Sequence, residues 1–378
     1  VQISRFTHVA ILLYLRRWSP RVRHNKAVQR RPAHRLNEAD YRHDLASPRA
    51  GFHEETRRPM ETDSLLSRPI IAPGNPDFRD KFNRASFAFP HALGHHPLLT
   101  MDRLIKVAEG ILSGPNPQRF AALYSKPADT GAKFSSLAGS APLTETIRQL
   151  ATGGSWLKLT RTQDVDPDHK ALMETVLAEV EELTGVPLKQ EITWASLTIF
   201  LASPNIVTPY HIDHESNFLF QIEGEKDLCL FDPTDRELLP EKQIERFYLG
   251  NVEAANYNAA LQDRGTMYRL KPGLAVHHPP LAPHWLKNGD NISISASIGF
   301  CMRDIDRRAK IHQANLILRQ LGLSPKAPGV SPQRDRIKVS AMNALSVANP
   351  QNQDELLFSG IRKVVAPLRM AKKLLARG

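Results

Sequence analysis

At 378 residues, with 41% hydrophobic and 24% charged side chains, the chain has an ordinary globular composition and enough length to bury a sizeable core. No apolar run approaches the roughly 20 residues that cross a bilayer, which excludes a membrane-spanning helix. The net charge of +11 suggests nucleic acid until it is localised: residues 1–59 hold 13 Lys and Arg against 5 Asp and Glu, and the rest of the chain is close to neutral.

The chain opens VQISRFTHVAILLYLRRW, an apolar run with Arg16 and Arg17 behind it. A secretory signal needs the opposite order and a small-residue cleavage site. Residues 19–59 show no sustained periodicity and read as a basic, disordered tail. Met60 heads an ordinary-looking segment, so 1–59 is either upstream of the natural start or a basic arm able to touch DNA phosphates. No helix-turn-helix is legible, which counts against direct sequence-specific nucleic-acid binding.

Residues 60–190 read as a helical and loop-rich N-terminal flank. The alternation Phe87, Phe89, His91 predicts a strand packed on the core. A helix is expected from Met101 to about Leu112, and the Ser/Gly/Pro-rich segments 113–117 and 136–142 read as loops. Asp166-Pro167 forms an N-cap with proline at the first helical position. Leu172, Val176, Val180 and Leu183 then recur at helical spacing until Gly185. These helices are expected to layer against a sheet.

Residues 191–302 are strand-rich. ITWASLTIFLA comes first, followed by SNFLFQIE and, after Glu223-Gly224-Glu225, LCLF; that turn reads as a hairpin. Residues 234–265 form a charged, partly helical excursion. Lys271-Pro272-Gly273 turns into LAVHH, and NGD at 288–290 is a second hairpin signal. In the last strand Ile292, Ile294, Ala296, Ile298 and Phe300 alternate with Ser293, Ser295, Ser297 and Gly299. Its small polar face suits the lining of a ligand cavity. Short strands with such turns indicate a mainly β protein with flanking helices, a double-stranded β-helix of the jelly-roll or cupin type. Residues 303–378 read as a C-terminal helical region: a helix from Arg303 to Leu321, a Pro-rich linker at 324–334, and a basic amphipathic end. That end is expected to dock on the body or to form a homodimer. Cys229 and Cys301 sit in apolar runs and read as buried free thiols of a cytoplasmic protein.

The stretch TPYHIDHESNFLFQIEGEK, residues 208–226, carries the chemistry. On an extended chain His211 and Asp213, two residues apart, share a face. With a second imidazole they make a two-histidine, one-carboxylate set that leaves metal positions open. His284 is the candidate, 73 residues downstream, with His278 second and His277 the other rival. The strand parity places His214 away from this face, as an exposed residue. Trp285 reads as a barrel wall.

The spacing Thr208, His211, Asp213, Asn217, then Gln221, Ile222, Gly224 and Lys226, resembles the JmjC-type Fe(II)/2-oxoglutarate oxygenases. It is closest to the cupin-like bacterial members often labelled transcriptional regulators and to the asparaginyl hydroxylase of hypoxia-inducible factor. The resemblance covers about 205–300. It implies Fe(II) held by His211, Asp213 and His284, and 2-oxoglutarate held by Lys226 and Thr208, with Asn217 and Ser297 as supporting donors. It also implies hydroxylation of a protein or peptide side chain, or of a small molecule. The aromatic pair that the family places before its second histidine is here Ala282-Pro283. The alternatives are a metal cupin that makes no use of 2-oxoglutarate, and a non-catalytic or metal-sensing transcriptional regulator.

Overall fold

A computed structural model describes residues 68–114, 116–125, 129–132, 150, 154–350 and 352–375. The expectations for 1–59 and for 136–142 fall outside them. Eleven described strands form two antiparallel sheets: β1 Phe87–Pro90, β2 Ala121–Ser125, β3 Ser155–Leu159, β4 Ile192–Ala202, β5 Val207–His211, β6 Ser216–Glu223, β7 Lys226–Leu230, β8 Thr266–Leu270, β9 Leu274–His278, β10 His284–Asn288 and β11 Ser293–Met302. The larger sheet runs β1-β9-β6-β11-β4-β3-β2 and the smaller β5-β10-β7-β8. This is the expected jelly roll.

The long alternating strand β11 sits inside the larger sheet, between β4 and β6. Its apolar set Ile294, Ala296, Ile298 and Phe300 faces outward into the main core. There it meets α2 (Met101–Ser113) and α3 (Pro167–Thr184), which follow the four-residue α1 (Asp77–Asp80). Asp166 caps α3 by accepting from the Asp168 and His169 amides, and Gly185 ends it at φ +70°. A cluster of phenylalanines seals the same core, with Phe78 edge-on to Phe89 at 4.9 Å and to Phe87 at 5.0 Å. The opposite face of β11 looks between the sheets, where Leu219, Leu228, Leu230, Val276 and Leu286 form a separate apolar cluster.

The two hairpins expected from sequence are not hairpins. β6 and β7 belong to different sheets, as do β10 and β11, so Gly224 and Gly289 turn the chain across the sandwich. β8 to β9, through Pro272-Gly273, crosses in the same way. Of the connections from β4 to β11, only that from β7 to β8 stays within one sheet. A glycine turn reverses the chain locally but does not choose which strand the next segment pairs with. Here the two crossings stack: the Gly289 amide donates to Glu225 O at 2.8 Å. A Cβ built on Gly224 would lie 2.2 Å from Ile292 O.

After β11 come α6 (Arg303–Gln320), α7 (Pro332–Leu345) and α8 (Gln353–Leu375), with α4 (Leu188–Glu191) and α5 (Glu241–Phe247) earlier in the chain. Helix α7 begins inside the segment read as linker; proline at its first turn hides the start from a composition-based reading. The first turns of α8 dock on the body. Leu357 joins the cluster of Ala309, and Ile361 and Val365 pack with Ala314 and Met342. Among the described residues no helix is long and apolar enough to cross a membrane.

Gly224 and Gly185 share φ +70°, but only Gly224 has backbone against its missing Cβ. Gly224→Ala should therefore cost at least about 2 kcal/mol, from left-handed strain plus steric overlap. Gly185→Ala should cost only about 1 kcal/mol. Urea midpoints of the two variants against wild type check this; equal losses would remove the stacked crossing as the cause.

Candidate functional site

His211 ends β5 and His284 begins β10, and the two residues are register partners. Their ring centroids are 4.1 Å apart. A bulge on β5 between Thr208 and His211, opposite the step from His284 to Leu286, re-aims the strand, so that Thr208, three residues from His211, pairs with Leu286 on the same inner face. Asp213 lies beyond the end of β5, in the loop to β6, rather than on an extended run. Its main-chain carbonyl accepts from the Leu281 amide at 2.8 Å, which ties that loop to the one leading into His284. Leu281 holds φ +63°, a strained conformation fixed by this bond and by burial.

The ring nitrogens are sorted by their neighbours. His211 Nδ1 meets Pro209 O at 2.7 Å and His284 Nδ1 meets Ala282 O at 2.9 Å. A carbonyl can only accept, so Nδ1 carries the proton in each ring and Nε2 presents its lone pair. Both Nε2 atoms face Asp213 Oδ2, at 3.8 Å and 3.7 Å. The three ligand atoms lie within 4.8 Å of one another and can hold a metal ion. Burial, the largest cause, lowers both imidazoles to about 4, so they are neutral, the metal-binding form, at pH 7.

His277 is not a rival ligand. Its Nδ1 meets Asn217 O at 3.1 Å and its Nε2 accepts from the Asn83 amide at 3.0 Å, with Phe82 stacked on the ring. His278 sits on the inner face opposite Asn217, its ring edge-on to His284 at 5.0 Å. It is outside the converging set, and both of its buried nitrogens lack a hydrogen-bond partner among the described residues. Unmet buried polar atoms cost about 1–3 kcal/mol each.

His214 is not exposed as its parity suggested; it is 2% accessible. The chain leaves strand geometry after His211, so period-two parity no longer applies. His214 Nε2 lies 2.8 Å from Asp306 Oδ1 on α6 and Nδ1 lies 2.9 Å from the Tyr248 hydroxyl. Asp306 Oδ2 accepts from Thr193 at 2.6 Å. Cys301 lies close enough to complete a second three-ligand group. Its thiol is pushed up by burial and so kept protonated, and the other members already satisfy each other. This is a hydrogen-bonded clamp on the loop that carries Asp213.

Next to the metal group lies a cleft of about 420 Å³, lined by Lys158, Trp194, Thr198, Asp213, Asn217 and Ser297 among others. Ser297 donates to Asn217 Oδ1 at 2.9 Å. Lys158, on β3, was missed from sequence; the alternation in SWLKL was the signal available. Its ammonium lies 5.8 Å over the Phe200 ring. Lys226 lies further inside, on the same face of β7 and four residues from Leu230, the residue opposite His284. It is 5% accessible, and among the described residues no carboxylate lies in ion-pair range of it. Burial alone draws its ammonium down to about 7. Trp285 faces outward: its indole N–H donates to Gln262 Oε1 at 3.1 Å, against the 234–265 excursion.

The chain belongs to the cupin-like domain family, whose model matches residues 113–368. No curated protein matches it in sequence. Among solved structures it is similar to YcfD of Escherichia coli, at 15% identity over 79% of this chain and 68% of that one, with a TM-score of 0.43. It is also similar to YcfD, described as a ribosomal oxygenase, in complex with cobalt and 2-oxoglutarate. The figures there are 15% identity, 81% and 67% coverage and a TM-score of 0.42. A third, the DMSP lyase DddQ from Ruegeria pomeroyi, matches at 14% identity over 28% of this chain and 38% of that one, with a TM-score of 0.19. At this distance none of the three bears on what this chain does.

Two outcomes follow from the geometry. His211→Ala, Asp213→Ala and His284→Ala should each lose most bound iron, measured by metal analysis, with unchanged circular dichroism. Wild-type metal content in all three would remove the assignment. The second outcome concerns acid. His91, His211 and His284 fall to about 4 and His277 to about 3, chiefly through burial. An unfolded histidine binds its proton near 6.5, so between about pH 6.5 and 4 the unfolded chain holds more protons than the folded one. The stability of the metal-free protein is thus full above pH 6.5 and lost as pH falls, by about 1.4 kcal/mol per histidine per unit. Urea midpoints at pH 7.5 and 5.0 should differ clearly; equal midpoints would contradict neutral burial.

Proposed function

We propose that the protein is an Fe(II)- and 2-oxoglutarate-dependent dioxygenase. The observation that carries this reading is Lys226: a buried cation without a counter-ion among the described residues, on the same inner face as a two-histidine, one-carboxylate group. An isolated buried charge is costly, and the natural remedy is an anion that arrives with a ligand. The metal set by itself fits any mononuclear cupin. A plain metal cupin or a non-catalytic regulator leaves Lys226 unexplained.

In this reading His211, Asp213 and His284 hold iron. With 2-oxoglutarate and dioxygen, the bound metal supplies oxidative decarboxylation to succinate and CO₂, coupled to hydroxylation of a substrate C–H bond. The chain's own part is positioning. Lys226, with Thr208 on the same inner face two strands away, pairs with the distal carboxylate of 2-oxoglutarate. The leucines between the sheets keep water from that pair and so strengthen it. Asn217 and Ser297, linked to each other, present polar groups at the metal end. The substrate, a protein or peptide side chain or a small molecule, enters by the cleft, where Lys158 offers a cation close to His211. Buried free Cys229 and Cys301 suit a reducing, cytoplasmic setting.

The direct test is anaerobic titration with Fe(II) and 2-oxoglutarate, in which a charge-transfer absorption band is expected; its absence would sink the oxygenase reading. Lys226→Met keeps the stem's bulk but leaves the distal carboxylate unpaired. It should weaken 2-oxoglutarate binding to Mn(II)-loaded protein by about 10²–10⁴-fold, with metal affinity unchanged. Equal affinity would show the lysine to be irrelevant. The lysine titrates near 7 when ligand-free, and the bound carboxylate needs its charged form. Binding should therefore take up a proton, and affinity should fall by up to about tenfold per unit as pH rises above 7. Calorimetry in buffers of different ionisation enthalpy reads this uptake; a buffer-independent heat would count against it.

A further inference from the structure

His278 is a second polar residue of the barrel interior that the fold does not need. It ends β9 on the inner face, directly opposite Asn217, and is 5% accessible. Both of its ring nitrogens are buried and, among the described residues, without a hydrogen-bond partner. Its neighbours differ: His277 uses both nitrogens, His214 uses both, and His211 and His284 each use Nδ1. A neutral imidazole carries one N–H donor and one acceptor. An aromatic hydrocarbon would fill the same space without leaving either unmet, so packing gives no reason for histidine here. Nor does the metal: His278 does not converge with His211, Asp213 and His284.

We infer that His278 is a hydrogen-bond donor for the metal-end carboxylate of the 2-oxo acid co-substrate. This deepens the function proposed above and rests on it. The inner face carries polar donors at two levels. Lys226 lies at one level, where β7 pairs with Asn288. His278 and Asn217 lie at the level of the metal group. Asn217 Oδ1 is already taken by the Ser297 hydroxyl, which keeps its amide N–H for the cleft it lines. Leu228 and Leu286 pair midway between Lys226↔Asn288 and Leu230↔His284, and with the rest of their apolar cluster they line the stretch between the levels. Donors at both ends of an apolar stretch match a ligand with a carboxylate at each end and methylenes between. Lys226 takes one carboxylate, and the ring N–H of His278 takes the other. His278 acts as a ligand-positioning residue; no bond is made or broken on it.

The test compares wild type with His278→Phe, which removes both nitrogens at similar volume, and His278→Gln, which restores one N–H donor. The Mn(II)-loaded proteins are titrated with 2-oxoglutarate by calorimetry, and bound manganese and the melting temperature of the ligand-free proteins are measured alongside. Expected for His278→Phe are a roughly 10- to 100-fold higher Kd, unchanged manganese stoichiometry, and a ligand-free melting temperature no lower than wild type. The last point follows because the variant deletes two unmet buried polar atoms. His278→Gln should recover part of the affinity. An unchanged Kd for His278→Phe would overturn the assignment while leaving the oxygenase reading intact. Loss of bound manganese would make His278 a metal ligand instead, and a lower ligand-free melting temperature would make it structural. Absence of 2-oxoglutarate binding by the manganese-loaded wild type would overturn both readings.

Discussion

The molecule depends on the period-two alternation of β11. Paired along its length with β4 on one side and β6 on the other, this strand separates two interiors with opposite requirements. Outward, Ile294, Ile298 and Phe300 are fully buried against helices and phenylalanines, each contributing about 1.5–3 kcal/mol. Inward, Ser293, Ser295 and Ser297 satisfy their neighbours: Ser295 donates to Gln221 Oε1 at 2.8 Å, and Ser297 donates to Asn217. A shift of one residue in register would drive the isoleucines into the ligand space and the serines into the main core. The register and the site are thus specified together.

The stability gained outside the sheet is spent in part within it. In the barrel His278 is buried with both ring nitrogens unmet, Lys226 is buried with no carboxylate in ion-pair range among the described residues, and His211 and His284 are held far from their usual protonation. None of this helps the ligand-free chain fold. Such costs gather where a protein must bind something, because groups already satisfied by the fold have nothing left to offer a ligand. The cluster of His214, Asp306, Tyr248 and Thr193 shows the contrast. It has the same residue types at similar burial, but its hydrogen bonds close on themselves, and its role is to hold the Asp213 loop.

That clamp also explains why the C-terminal helices matter to a site built on strands. Asp213 lies on a loop, where backbone pairing cannot fix it. Its carbonyl is pinned by Leu281, and the next residue is anchored to α6 through Asp306. Glu215 accepts from Gln353 at the start of α8, so the rim of the cleft is drawn from both ends of the domain. Helices α6 and α8 therefore act on the metal group through position rather than contact.

The sequence by itself determined much of this. The motif from Thr208 to Lys226, the β11 alternation and the Asp166-Pro167 and Gly185 helix limits are short-range features. Their physics acts between neighbouring residues and is written locally. Tertiary structure decided the rest. Gly224 and Gly289 announce turns, but whether a turn makes a hairpin or crosses a sandwich depends on strands far away in the chain. His214 looked exposed because parity was carried past the end of β5, and its partners lie on α5's end and α6. Thr208 and His211 share a face only through a bulge on β5. His278 was legible as a histidine near a histidine. That its nitrogens are left without partners is a property of the whole packed interior, because an unmet hydrogen bond is defined by every neighbour that could have met it.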